Sequence, residues 1–201
     1  MKRFPRIFSW SLAILLLAGF VMSLPVREDA AIYDKVIRLH VLANSDSESD
    51  QALKLTVRDA LLGEVAALTE DCTDREEAAA LLAAHTDGLR QTAEEALRAQ
   101  GCPLAVSVVI GEEHYPTREY EGVRLPAGRY TSLRVMIGEA EGQNWWCVLF
   151  PPLCVGQASA AEEKMLAVGF TPGQVGVLTE KEKPGYVLRF KLLEILGSLF
   201  S

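Results

Sequence analysis

Two tryptophans side by side on a strand cannot both be hidden in one core, because neighbouring residues point to opposite faces of the sheet. Trp145-Trp146 sets this condition inside Gly138-Glu-Ala-Glu-Gly-Gln-Asn-Trp-Trp-Cys-Val-Leu-Phe-Pro-Pro-Leu-Cys154, where 17 residues hold two of the three tryptophans and two of the four cysteines. Trp145 to Phe150 reads as a strand entered through a connection bracketed by Gly138 and Gly142 and stopped by Pro151-Pro152. One tryptophan belongs to a core. The other is either an exposed anchor for a protein partner or a packing residue under a covering element, and the spacing leaves both readings open. Cys147 and Cys154 are close enough in the chain to close a small ring stiffened by the two prolines, worth about 2.5 kcal/mol in the chain-entropy model. Two buried free thiols are the bland alternative.

The N-terminus decides the redox setting. Met1-Lys-Arg-Phe-Pro-Arg6 is basic, and Ile7 to Leu24 is a nearly uncharged apolar run. That order reads as an export signal, with a weak cleavage site at Ser23, although the run also reaches the length of a membrane span. Residues 1–24 are therefore a signal peptide or an N-terminal membrane anchor, with residues 7–24 as a possible tether, and residues 25–201 form a single exported domain. Past residue 24 the formal charge falls from −7 to −10, because Lys2, Arg3 and Arg6 leave and all 27 acids stay. So acidic a domain is a poor match for nucleic acid or for an anionic membrane surface.

Val36 to Leu42 alternates Ile37, Leu39 and Val41 against Val36, Arg38 and His40, the period of a half-buried strand. Ser45-x-x-Glu48 has capping-box spacing and predicts a helix from about Ser47 to Leu68, with Leu53, Val57, Leu61, Val65 and Leu68 on one face. Thr73-x-x-Glu76 opens a second helix that Gln100-Gly101 ends, with Gly88 as a point of interruption. Cys72 and Cys102 flank it. Along a straight helix of that length they stand roughly 40 Å apart, so they pair only if the arm bends back at Thr86-Asp-Gly88.

Leu104 to Ile110 alternates as a strand ended by Gly111, after which His114 to Tyr120 is polar and turn-prone. Arg129 to Ile137 is a strand with Thr131, Leu133, Val135 and Ile137 on one side. Ala158 to Val168 forms a short helix, Gly169 to Gly185 a glycine-rich connection, Tyr186 to Phe190 a last strand, and Lys191 to Phe200 an amphipathic tail helix. The sum is an α+β fold: a mostly antiparallel sheet with an N-terminal helical hairpin and a C-terminal helix packed on one face.

Catalytic chemistry has little to hold on to. His40, His85 and His114 are the only histidines, and none lies in a local hydrolase, metalloprotease or phosphate-loop motif. On its strand, His40 reads as a satisfied or exposed side chain rather than a general base. Asp46-x-Glu48-x-Asp50 mimics alternating calcium ligands but lacks the glycine and closing glutamate of such a loop, and a helix start also explains its serines. No cofactor and no metal follows. An exported wall hydrolase or wall-binding module is the competing class.

The residues match a known pattern. Val41-Leu-Ala-Asn-Ser-Asp-Ser47, Asp50-Gln51, Lys54, Val57-Arg58-Asp59, Tyr115-Pro116, Pro126-Ala127-Gly128-x-Tyr130, Ile137-Gly138-x-Ala140-x-Gly142-x-Asn144 running into the tryptophan-cysteine-proline block, and Arg189-Phe190-Lys191 resemble the stage II sporulation protein R family. The resemblance spans about residue 33 to the end and implies a non-enzymatic signal of endospore formers, made in the forespore and exported to the space between forespore and mother cell. It further implies activation of a membrane-embedded aspartic protease, stage II sporulation protein GA, which then processes the pro-sigma-E factor. Trp145, Trp146, Phe150, Pro151 and Pro152 are the first candidates for the partner contact, and Asn44, Asp46 and Arg58 the second.

Overall fold

A computed structural model describes residues 26–27, 32–120, 122–153, 158–180 and 186–187. The apolar run 7–24, Cys154 and the expected tail helix lie outside them. In chain order the elements are β1 (Val26–Arg27), β2 (Ile37–Leu42), α1 (Glu48–Leu68), α2 (Arg75–Ala84), α3 (Thr86–Ala99), β3 (Val106–Tyr115), β4 (Arg118–Tyr120), β5 (Val123–Leu125), β6 (Gly128–Ile137), β7 (Asn144–Phe150), α4 (Ala158–Ala167), α5 (Pro172–Leu178) and β8 (Tyr186–Val187). Among the described residues no helix is long and apolar enough to cross a membrane.

The chain divides into residues 31–183 and a smaller unit made of residues 1–30 with 184–201. In the smaller unit β1 and β8 pair antiparallel, Val26 opposite Val187 and Arg27 opposite Tyr186. The larger unit is built on a four-stranded sheet of order β3-β6-β2-β7, with β4 and β5 pairing separately as a small antiparallel ladder. β2 runs parallel to β6 and antiparallel to β7, and β3 runs antiparallel to β6. The sheet is thus mixed. The parallel neighbour of β2 is β6, which the chain reaches only after three helices and β3 to β5, whereas the short β6–β7 connection straddles β2.

β2 is central and buried on both faces, not half-buried as its alternation implies. Ile37, Leu39 and Val41 join Leu133, Val135, Ile137, Val106, Cys147 and Leu149 in a core that Val57, Leu61 and Val65 of α1 and Ala78, Leu82, Leu89, Ala93 and Leu97 of α2 and α3 cover. Fully burying each Val or Leu of that helical stripe contributes about 1.5–3 kcal/mol. The opposite face carries a second core, where Tyr115, Tyr130 and Val148 meet Val123, Leu125, Ala161, Met165, Val175 and Leu178. Helices therefore pack on both faces, which corrects the one-faced expectation.

Local signals moved by small steps. α1 is capped by Ser47, whose side chain accepts from the Asp50 amide, and α2 by Asp74, which accepts from Glu77, so each cap lies one or two residues beyond the expected Ser45 and Thr73. The second arm breaks at His85, ahead of Gly88, into α2 and α3. Even with that break Cys72 and Cys102 are free thiols. β3 runs through Gly111 as far as Tyr115. The glycine-rich connection holds α5, opened by a full capping box between Thr171 and Gln174 with Pro172 at the first turn.

Candidate functional site

Because β2 lies between β6 and β7, the residues joining those two strands must cross the chain as it leaves β2 for α1. The crossing is a dense seam. Asn44 Oδ1 accepts the Glu139 amide at 3.0 Å, and Asp46 Oδ1 accepts the Gln143 amide at 2.7 Å. The Glu141 and Gly142 amides bond the Asn44 and Ala43 carbonyls at 3.2 and 2.9 Å. From the helix side, Asp50 Oδ2 accepts Asn44 Nδ2 at 2.8 Å and Ser45 Oγ at 2.6 Å, and these bonds hold its carboxyl below the usual range. Lys54, buried one turn further on, donates to Gln51 Oε1 at 2.6 Å and to the Gln143 carbonyl at 2.9 Å. Burial lowers its pKa, and the Asp46 charge opposes that fall. Gly138, at φ +56°, and Gly142 leave the room for this: a Cβ on the first would strike the Asn44 side chain, and on the second the Ser45 carbonyl.

The seam continues into the tryptophans, which split between faces as alternation demands. Trp145 lies on the α1 side, half-buried, with the Arg58 guanidinium 4.9 Å from its ring centre. Trp146 lies on the other side, with Arg118 4.0 Å above it and His40 5.5 Å away. Each indole thus carries an arginine, an arrangement worth about 0.5–2 kcal/mol according to its exposure.

Behind Trp146 the second face is polar. His40 Nδ1 meets Glu113 Oε1 at 2.8 Å and its Nε2 meets Asn144 Oδ1 at 2.9 Å. Ser132 Oγ donates to Glu113 Oε2 at 2.9 Å and lies 2.6 Å from the Tyr115 hydroxyl. Burial pushes the Glu113 carboxyl up, but the hydrogen bond and charge of His40, helped by Ser132, more than offset it and hold it low. Ser132 addresses the carboxylate and not the imidazole, so the nucleophile-to-base contact of a triad is not formed here. Next to it Arg38, fully buried, lies 4.0 Å from the Tyr115 ring centre and 5.0 Å from that of Tyr130, and bonds the Tyr120 hydroxyl. Its Nε and Nη1 have no hydrogen-bond partner, so the tyrosine faces carry its charge. Desolvation raises the phenol pKa values of Tyr115, Tyr120 and Tyr130.

At the far end of β7 the chain turns at Phe150-Pro151-Pro152. Phe150 and Pro151 are buried and Pro152 is exposed. These residues form one wall of a cleft of about 610 Å³; Ala66, Ala67, Thr69 and the loop Glu70 to Thr73 form another, and Lys164 and Ala167 of α4 with Val168 just after it a third.

The family model for stage II sporulation protein R matches residues 33–160, from the turn before β2 to the start of α4, and so takes in both ends of the seam. The chain belongs to the stage II sporulation protein R family. Stage II sporulation protein R of Bacillus subtilis strain 168 is 33% identical over 212 residues, covering 93% of this chain and 95% of its own length. No solved structure matches the chain.

Much of the pattern that carries this family resemblance therefore has a structural use. Asn44, Asp46 and Lys54 meet Glu139 to Gln143 in the seam, Asp50 and Gln51 brace Asn44 and Ser45 from behind, and the Tyr130 hydroxyl donates to the Pro126 carbonyl at 2.7 Å. Of the expected contact residues, Arg58 and Trp145 touch each other, whereas Trp146 lies across the sheet and Phe150 to Pro152 at the other end of β7. Asn44 and Asp46 spend their side chains on the seam. The expected partner of Cys147, Cys154, falls outside the described residues. Arg38, Glu113 and Lys54 went unremarked as site residues. A guanidinium within the apolar alternation of β2 was the signal for the first, but the acid that serves His40 is 73 positions away and has no local signature.

Proposed function

We propose that this chain is a sporulation signal, exported from the forespore, that activates a membrane-embedded aspartic protease of the mother cell, stage II sporulation protein GA, so that it processes pro-sigma-E. Family membership supports the sporulation role. The observation that carries the contact is Trp145 under Arg58: a large aromatic, half-buried, held at the surface by a hydrogen-bonded seam, is a rigid anchor with little ordering entropy left to lose on binding. The signal acts by binding the active state of the protease better than the inactive one, which shifts that equilibrium without chemistry of its own. A Cys147–Cys154 bond fits this reading: Cys147 is buried, and the free cysteines among the described residues are Cys72 and Cys102. It would brace the far end of the strand that presents the indole.

Co-expression of protease, pro-sigma factor and this chain tests the proposal. Processing is expected with the intact chain, and a drop of at least tenfold with Trp145→Ala at unchanged export and folding. Trp146→Ala, changed separately, asks whether the second face takes part. If both variants are exported, folded and fully active, the tryptophans are not the contact. Muropeptide release by the purified chain would instead point to a wall hydrolase.

A further inference from the structure

Several features end where they stand. The seam is saturated with its own hydrogen bonds, the Arg38 guanidinium is sealed by tyrosines, and the hollow of about 290 Å³ at Glu113, Ser132 and Arg134 is lined by polar groups that already bond one another. The cleft beside Pro151 is different. Its volume lies in the range of real ligand sites. Apolar groups line its walls, from Ala66 and Ala67 at the end of α1, Phe150 and Pro151, and Ala167 of α4 with Val168 just after it, and Leu166, beside Ala167, is 47% exposed. Its mouth is acidic, with Glu70 and Asp71 both exposed. The one cation among the described lining residues, Lys164, donates to the Pro152 carbonyl at 3.0 Å.

We propose that this cleft is a docking site for a short protein segment in which a basic residue flanks apolar ones, the apolar side chains entering between Phe150, Pro151 and Val168 and the base meeting Glu70 and Asp71. The sign of the charge argues for this occupant. An acidic or purely apolar segment would bring nothing to neutralise the two carboxylates, and like charges at a partly desolvated rim cost affinity. Acidic groups surround the cleft beyond its rim as well. The thiol of Cys72, buried in the wall, has its pKa raised first by burial and then by Glu77, Asp71 and Asp74. The inference rests on the partner-binding reading above and adds to it a second surface of stated chemistry, at the other end of β7 from Trp145.

The probe is a dye-labelled peptide, acetyl-Arg-Leu-Leu-Arg-amide, with acetyl-Glu-Leu-Leu-Glu-amide as the control. Fluorescence anisotropy with the full chain reads affinity, and alkylation of Cys72 relative to Cys102, the other free thiol among the described residues, reads location. The basic peptide is expected to bind at least tenfold more tightly than the acidic one. It should slow alkylation of Cys72 at least threefold without changing Cys102, and lose at least tenfold in affinity to the double variant Glu70→Gln/Asp71→Asn, whose exposed positions leave the fold alone. Equal binding of both peptides, undiminished binding by the double variant, or binding without protection of Cys72 overturns the proposal. Protection that rises with the concentration of the chain alone assigns the cleft to a second copy. Protection present at every dilution, with no peptide bound, means that the chain fills its own cleft. None of these outcomes involves the protease, so loss of this inference leaves the co-expression result standing.

Discussion

Gly138 shows how a single residue carries the seam. Its φ of +56° lies in the left-handed region, and a Cβ there would meet the Asn44 side chain, so Gly138→Ala adds backbone strain to a collision. Destabilisation of about 1–3 kcal/mol is expected in urea unfolding. Gly142→Ala should cost more, because its Cβ meets the Ser45 carbonyl, a backbone atom that cannot swing away. Equal effects would argue against the crossing geometry. Glu113 offers a pH-dependent counterpart. A carboxyl held low in the folded state adds stability that is complete above about pH 4.3 and is lost as pH falls through its lower folded value. The stability gap between the native chain and Glu113→Gln should therefore shrink as pH falls below about 4.3. A gap unchanged down to pH 3 would remove the His40–Glu113 pair from the account. Sequence showed the first of these two residues as a glycine bracket and missed the second, since alternation tells which face a residue takes and not which residue it meets there.

Helix ends were legible to within a residue or two, and the reason for the offset is physical. Several Ser, Thr and Asp residues compete for each cap, and the winner is the one whose backbone is extended where the apolar face first reaches the core. Asp74 wins over Thr73 at α2. Asp74→Ala should thus cost about 1 kcal/mol while Thr73→Ala stays within about 0.5 kcal/mol, by thermal or urea unfolding; the reverse order would restore Thr73 as the cap. The α5 helix was overlooked because its glycines outweighed a capping box and a first-turn proline that were there to be read. The strand ending at Gly111 was cut short for a similar reason, as an edge strand tolerates glycine where a central one would not. The tryptophan split, by contrast, follows from the two-residue period alone, and the structure places Trp145 and Trp146 on opposite faces as that period requires.

For the larger unit as a whole, strand identity was readable and strand order was not. Periodicity marks β2, β6 and β7, yet nothing local says that the first of them slides between the other two. The same limit applies to the site, where Asn44 and Gly138 are visible as family positions but their meeting follows only from the strand order. Hydrogen exchange should show this hierarchy: amides of residues 37–42, paired on both sides, are expected to exchange only through global opening, and those of β4 and β5 orders of magnitude faster. Comparable rates would contradict a central β2.

That placement also imposes a schedule. β2 is made early and β7 more than a hundred residues later, so the emerging chain carries its central, buried strand with an open edge until Phe150 has arrived. A fragment ending before Asn144 would keep that edge exposed, which makes it a target for proteolysis or aggregation rather than a partly working molecule. Completeness is thus checked by the sheet itself: the strand that bears the tryptophans is also the one that closes it.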